Sequence, residues 1–386
     1  MIIFKNNHDK HKNEYDHSNN DTSNSKKGQT TTNNNKNNKK KTHPRTRERK
    51  KPAEAEAEAE AADDDEQEDE ADALALVQSG LPAGAEPAVR LGDGTKGHAD
   101  HQLNNPRGMS SVPAHRHLVI VTCFSSHQVR VYDITSSRLL CKMGKEGGRS
   151  GQGEGEFNCP WGVVVTADSA HVIVAETGNA RVQVLSLVVS DDGRTAELGF
   201  VREIGKGQLK SPYGLALRSA GDSQTVLVAE GGGYQVSEWS LEGTKVRTIG
   251  TGKEGSGDGE LNFPTDVTVL PVSGQIAIAD ENNHRVSVFD GESGSFVRAF
   301  GSQGRTKDGQ FDGPCAIAAD AHNHLLVLDA NTSRLQVFDA DGTHLHTRTD
   351  LGLRSSSFKG LAWRGDGGEG RLAITNGGGH DARLFF

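Results

Sequence analysis

Phe157-Asn-Cys-Pro160-Trp-Gly162-Val-Val-Val165 opens a run of four short apolar segments that reads as one small antiparallel sheet. A turn at Ala167-Asp-Ser169 precedes His171-Val-Ile-Val-Ala-Glu176, and Thr177-Gly-Asn179 precedes Arg181-Val-Gln-Val-Leu185. The fourth run, Phe200-Val-Arg-Glu-Ile204, ends on Gly205. Apolar runs of this length, parted by Gly, Asn, Asp and Ser turns, form a meander. The opening signature returns as Leu103-Asn-Asn-Pro106-Arg-Gly108, Leu209-Lys-Ser-Pro212-Tyr-Gly214, Leu261-Asn-Phe-Pro264-Thr-Asp266 and Phe311-Asp-Gly-Pro314-Cys-Ala316. A worn copy stands at Phe358-Lys-Gly360. Aligned positions 106, 160, 212, 264, 314 and 358 are 54, 52, 52, 50 and 44 residues apart. One such sheet cannot bury both faces alone, so copies must pack face to face around an axis.

The first run of each copy is nearly all apolar or small, as in Val163-Val-Val165 and Ile317-Ala-Ala319. That pattern predicts an innermost strand buried on both faces. The third run alternates, as in Arg285-Val-Ser-Val-Phe289, and predicts a strand nearer the outside. Proline at the first residue of a strand costs no ladder bond. The last copy supplies three runs, ending at Ala382-Arg-Leu-Phe-Phe386, while Ala88-Val-Arg-Leu-Gly92 looks like an orphan fourth strand. The expected fold is therefore all-β: a six-bladed β-propeller of four-stranded antiparallel blades. Its last blade takes one strand from the N-terminal side, which pairs an otherwise open edge.

The recurring Pro-x-Gly, Val-Ala-Glu/Asp and Asn-x-Arg-Val-x-Val-Phe elements resemble the NHL repeat of β-propellers. Ile278-Ala-Asp280-x-x-Asn283-His-Arg285-Val-Ser-Val-Phe289 and Val327-Leu-Asp329-x-x-x-Ser-Arg334-Leu-Gln-Val-Phe338 are the clearest copies. The likeness spans residues 87 to 386. It implies a non-enzymatic scaffold that binds a protein or peptide on its loop-rich face, of the kind that serves ubiquitin ligases as a substrate-recognition domain. No RING or B-box pattern precedes the repeats, so a ligase role needs a separate partner. Two other classes compete: a single-stranded RNA-binding propeller, and a metal-dependent lyase or hydrolase, since NHL-like propellers include zinc- and calcium-dependent amidating lyases.

Within each hairpin an acid ends the second strand and an arginine opens the third: Glu176 with Arg181, Asp280 with Arg285, Asp329 with Arg334. Recurrence wherever the hairpin occurs marks these as structural pairs. Cys123 faces Gln128 in the first copy and Glu230 faces Gln235 in the third, which leaves Glu230 as an acid without a basic partner. The residue after each proline falls near the central mouth: Arg107, Trp161, Tyr213, Thr265 and Cys315. Arg, Trp and Tyr are the types that dominate binding hot spots. Arg107, Phe124, Trp161, Tyr213, Tyr234 and Glu230 are the candidate binding residues.

No catalytic constellation and no cofactor are expected. Histidine pairs at His98-x-Asp100-His101, His115-x-His117 and His322-x-His324 do not share a common repeat position. Cys123, Cys141, Cys159 and Cys315 form no CxxC pair and read as small strand or turn residues. The Gly231-Gly-Gly233 and Gly377-Gly-Gly379 runs replace turn residues and precede no helix, which argues against a phosphate cradle.

The chain has 386 residues and a net charge of −9, very unevenly spread. Residues 1–52 form a basic, Asn/Lys-rich tail, and residues 53–84 an acidic low-complexity linker. Neither carries enough apolar side chain to offset ordering entropy, so both are expected to be disordered ahead of a propeller over 85–386. The basic cluster at 39–51 resembles a nuclear-import signal or a nucleic-acid patch. The mixed charge of the loops (Lys96, Lys145, Arg149, Lys206, Lys210, Lys253, Arg305 and Lys307 offset by acids) is a poor match for a strongly basic RNA face. No apolar run is long enough to span a bilayer. These features predict a monomer without membrane contact, located in the cytoplasm or, through 39–51, the nucleus.

Overall fold

Each repeat closes into its own sheet because its strands are joined by tight turns and pair in chain order. The computed structural model describes residues 87–220, 223–349, 351–353, 358–366 and 369–385. The expectations for the tail at 1–52 and the linker at 53–84 lie outside these residues. Blades 1 to 5 occupy residues 106–143, 160–204, 212–249, 264–300 and 314–348, each a four-stranded antiparallel sheet. Blade 6 comprises Phe358–Asp366, Glu369–Asn376 and Asp381–Phe385, and its fourth strand is Val89–Leu91.

That closing strand pairs Val89 with Leu384, Arg90 with Arg383 and Leu91 with Ala382. Leu91 is buried in an apolar cluster with Leu103, Met109 and Val121 of the first repeat and Ala373 and Leu384 of the last. Arg90 reaches Asp381 at 2.6 Å. His380 adds a further tie across the joint, its Nδ1 accepting the Asn105 N–H at 3.3 Å. His127 makes the equivalent bond to the Cys159 N–H, 3.0 Å away, between blades 1 and 2. Burial holds both imidazoles below the usual histidine range, which keeps those lone pairs free near neutrality.

Every neighbouring pair of blades shares one apolar cluster of this kind. Ile120 and Val131 meet Val163, Val172 and Leu185 between blades 1 and 2, and Val288 and Phe311 meet Val327 and Phe338 between blades 4 and 5. Burial differs from the sequence expectation in two respects. The second strands, such as Ile276–Asp280 and Leu325–Asp329, are buried throughout, whereas the first strands expose alternate residues such as Val164 and Thr268. The innermost strands line a narrow axial channel, so one of their faces has no protein against it.

The third strands depart from expectation as well. Their alternating polar residues are covered: Gln183, Ser287 and Gln336 have no exposed area. In blades 2, 4 and 5 the long linker that enters the blade folds back over this face, and arginine holds it there. Arg181 pairs with Glu176 at 2.6 Å and donates to the carbonyls of Gln152, Gly153 and Glu156, each at 3.0 Å. Arg285 repeats this with Asp280 at 2.9 Å and the carbonyls of Ser256 and Glu260. Arg334 faces Asp329 in register yet bonds only carbonyls, those of Arg305, Lys307 and Gln310, and its Nε has no partner.

Blades 1 and 6 use the same device from a residue two positions further along. Arg130 holds the carbonyls of His98, Ala99 and Gln102, and Arg383 those of Leu351 and Gly352. Two residues along a strand return to the same face, so the first copy has its arginine after all. Blade 3 has Gln235 instead, and the linker before it is short, residues 205–211. Removing residues 85–95 is expected to lower the melting temperature by roughly 10 °C or more, from lost burial and an opened sheet edge. A scanning-calorimetry trace unchanged from that of the intact chain would contradict the closure.

Candidate functional site

A bulge after each repeat proline decides where the next side chain points. Pro160 pairs with Glu176, yet the next ladder pair is Val163 with Val174, and the same skip follows Pro106, Pro212, Pro264 and Pro314. A bulge re-aims the residue it frees. In blades 1, 2 and 3 the freed side chains are Arg107, Trp161 and Tyr213.

They meet around the mouth of the axial channel. The Arg107 guanidinium carbon lies 4.4 Å from the Trp161 ring centroid and 4.9 Å from that of Phe124. Trp161 stands edge-on to Phe124 at 5.6 Å and to Tyr213 at 4.6 Å. Tyr213 lies 5.3 Å from Phe263, brought in by blade 4. The result is a half-buried arc of four rings and one cation spanning four blades. Aromatic pairs in these geometries hold one another by about 0.5–1.5 kcal/mol beyond area burial, so the arc is partly preformed.

The remaining candidates sit apart from it. Thr265 and Cys315 are buried. Glu230 is buried as well and accepts the Lys210 N–H at 2.8 Å and the Gln235 side chain at 3.0 Å. Its place matches that of Glu176, Asp280 and Asp329, which take the N–H of Asn158, Asn262 and Asp312. A backbone donor and a glutamine stand in for the missing arginine. Tyr234 follows the turn after Glu230 with φ 54°, and its hydroxyl bonds Glu254.

Phe263 was not among the candidates, although its position carries a signal. The residue before each of four prolines is left-handed: Asn105, Cys159, Ser211 and Phe263 at φ 57°, 55°, 51° and 60°. Compact residues tolerate that region better than a bulky aromatic does. A phenylalanine there is a local exception, and its ring extends the arc.

Below the arc, the first strands enclose a channel of about 240 Å³. Its wall explains the Pro-x-Gly pattern. A Cβ on Gly162 would lie 2.5 Å from the Tyr213 carbonyl oxygen of the next blade. Gly108 and Gly360 face the Trp161 and Arg107 carbonyls in the same way. Those carbonyls also accept Thr122 and Thr375 hydroxyls, each at 2.5 Å, which stitches adjacent blades together. Blade 4 carries Asp266 in place of glycine. Its carboxylate accepts the Ile317 N–H of blade 5 and the Val267 N–H, each at 3.0 Å, and lies against Gly214 of blade 3. The channel reaches Asp266, but the backbone of three blades crowds its carboxyl, and this desolvation pushes its pKa up to about 7 despite the two donors.

The histidine pairs make ordinary local contacts. His115 and His117 lie 6.3 Å apart edge-on, His322 and His324 6.1 Å apart, and His324 Nδ1 bonds Asp320 at 2.7 Å. Among the described residues, no three His, Cys, Asp or Glu are placed to hold a metal ion, and the four cysteines are free thiols. No helix among them is long and apolar enough to cross a membrane.

Comparison with known proteins agrees with the architecture. The NHL repeat model matches residues 157–185 and 261–289, which are the second and fourth copies of the unit described above. This chain is an NHL-repeat β-propeller. It is 40% identical over 85 residues to the RING finger protein nhl-1 of Caenorhabditis elegans, covering 22% of this chain and 8% of that protein. It is 30% identical over 155 residues to the peptidyl-glycine alpha-amidating monooxygenase of Mus musculus, covering 39% and 16%. The chain thus spans a small fraction of the curated relatives it matches. Among solved structures, a calcium-binding regucalcin from Agrobacterium tumefaciens superposes with TM-score 0.52 at 14% identity, over 78% of this chain and 93% of that one. That likeness speaks to fold alone. The relatives that share stretches of this sequence thus include a RING finger protein and a monooxygenase.

Asp266 yields a pH-dependent test. Its folded pKa of about 7 lies above the unfolded 3.8, so its contribution is complete below the unfolded value. It is lost as pH rises through about 7, by at most ~4 kcal/mol. Asp266→Asn keeps an amide oxygen for the Ile317 N–H and removes the titration. Urea midpoints should show the stability gap between wild type and variant shrinking or reversing from pH 4 to 7.5. A constant gap would place the carboxyl in an ordinary environment.

Proposed function

We propose that the propeller is a non-enzymatic scaffold that binds a protein or peptide at the mouth lined by Arg107, Phe124, Trp161, Tyr213 and Phe263. The observation that carries this reading is the arc itself. Three hot-spot residue types come from separate repeats and are freed by equivalent bulges, then meet as one continuous, half-buried surface. Loops on a rigid scaffold are where such folds place their recognition surface. Identity to a RING finger protein supports a role in choosing substrates for ubiquitin-dependent turnover. The site would work in the cytoplasm or, through the 39–51 cluster, the nucleus.

The amidating relative favours a second reading, a metal-dependent lyase or hydrolase. It predicts stoichiometric zinc or calcium in the purified protein, measurable by elemental analysis. The scaffold reading is tested by affinity capture from cells with the intact chain as bait, with and without nuclease, followed by mass spectrometry. Trp161→Ala combined with Tyr213→Ala should remove the specific partners while the melting temperature stays within a few degrees. Partners that all persist would put the binding surface elsewhere, and partners that vanish with nuclease would favour RNA.

A further inference from the structure

Arg107 differs from the other covered arginines in that its guanidinium has no hydrogen-bond acceptor among the described residues. Arg181, Arg285 and Arg383 each hold a carboxylate together with backbone carbonyls, and Arg247 and Arg218 share Glu238. Among the described residues, the Arg107 guanidinium has no ion pair and no hydrogen-bond partner, and its Nε is buried without one. It lies over the faces of Phe124 and Trp161, with Cys159, Tyr213 and Cys315 close enough to act on it electrostatically. A cation taken partly out of water onto ring faces keeps its planar fork of donors free, and that fork matches a carboxylate. Burial also holds the guanidinium below its ordinary range, at about 10, so it stays charged at neutral pH.

We infer that Arg107 is the anion-reading element of the mouth and takes the side-chain carboxylate of an Asp or Glu in the bound peptide, whose apolar neighbours lie on Trp161, Tyr213 and Phe263. The inference rests on the peptide-binding reading above and adds the chemistry that would select the partner. Three observations favour a single carboxylate over a polyphosphate backbone. Among the described residues one free cation sits at the mouth, whereas a nucleic-acid strand is held by a track of them. Acids stand close by, with Glu281 near Tyr213 and Glu254 on Tyr234, and would repel a continuous line of phosphates. The channel beneath, at about 240 Å³, has room for one side chain rather than a strand. The four rings offer apolar faces on one side of the guanidinium, so an acidic residue followed by an aromatic or aliphatic one fits the arc.

The test uses the full chain and an array of heptapeptides, acetylated and amidated so that no terminal charge remains. Central Glu or Asp is compared with Gln or Asn, with aromatic and aliphatic residues varied around it. Two further probes are the Gln peptides with a free C-terminal carboxylate and an oligouridine. Wild type should bind the best Glu or Asp peptides at least ~10-fold more tightly than their amide counterparts. Arg107→Met, which keeps the stacked stem, should erase that ratio, and Arg107→Lys should restore part of it. Trp161→Ala should weaken acidic and amide peptides alike. Because the Glu-to-Gln comparison changes only the peptide, it stands even if a variant folds poorly.

Peptides bound without acidic preference would overturn the role of Arg107 and leave the scaffold reading intact. Preference for the free C-terminal carboxylate would overturn the side-chain assignment. Arg107-dependent binding of oligouridine, or no peptide bound at all, would overturn both readings.

Discussion

A buried carboxylate at the end of the second strand in blades 2 to 5 is the constraint on which this structure depends. Glu176, Glu230, Asp280 and Asp329 each take the backbone N–H two residues before a repeat proline. That bond fixes where the chain re-enters the ring, and the proline then starts the next innermost strand in register. The carboxylate is nearly inaccessible, so losing one of its partners would leave a buried charge or an orphan donor, at a cost of several kcal/mol. Asp280 shows the tension: burial raises its pKa although Asn262, Asn283 and Arg285 all act to lower it.

From that anchor follow both the linker and the mouth. The linker has long stretches of backbone without a ladder, and its carbonyls need donors. Arginine on the third strand supplies several at once, which is why Arg130, Arg181, Arg285, Arg334 and Arg383 all turn towards linkers. With the linker pinned, the bulge after the proline can free one side chain per blade without loosening the sheet. In blades 1 to 3 those side chains are large and gather into the arc. In blades 4 and 5, Thr265 and Cys315 are small and buried, so among the described side chains the mouth is chemically rich along blades 1 to 3 and plain along blades 4 and 5.

Much of this was legible in the chain because it depends on short-range pattern. The four runs of each repeat, the prolines and the orphan strand at residues 88–92 all rest on alternation and spacing, which a single sequence displays. Arg130 and Arg383 were not legible as linker clamps, because a shift of two residues keeps the face of a strand but breaks a fixed-spacing motif. Glu230 looked unpartnered because backbone donors leave no trace in sequence. Tyr234 lay near the right turn, yet its hydroxyl bonds Glu254, a loop acid that no repeat pattern pairs with it. Arg107, Trp161 and Tyr213 could be named from their place after proline, but their contact with one another could not.

By itself, then, the sequence determined a ring: how many blades, which strand closes it, and which residue of each repeat is set free at the mouth. Those follow from period and pairing, and pairing between consecutive strands is local. Only the tertiary structure decided that the freed residues of three blades touch, that Phe263 joins them, that Asp266 wedges between blades, and that no counter-charge among the described residues meets Arg107. Each of those facts joins groups about fifty or more residues apart. Their geometry is set by how neighbouring blades pack around the axis, and no one repeat carries that information.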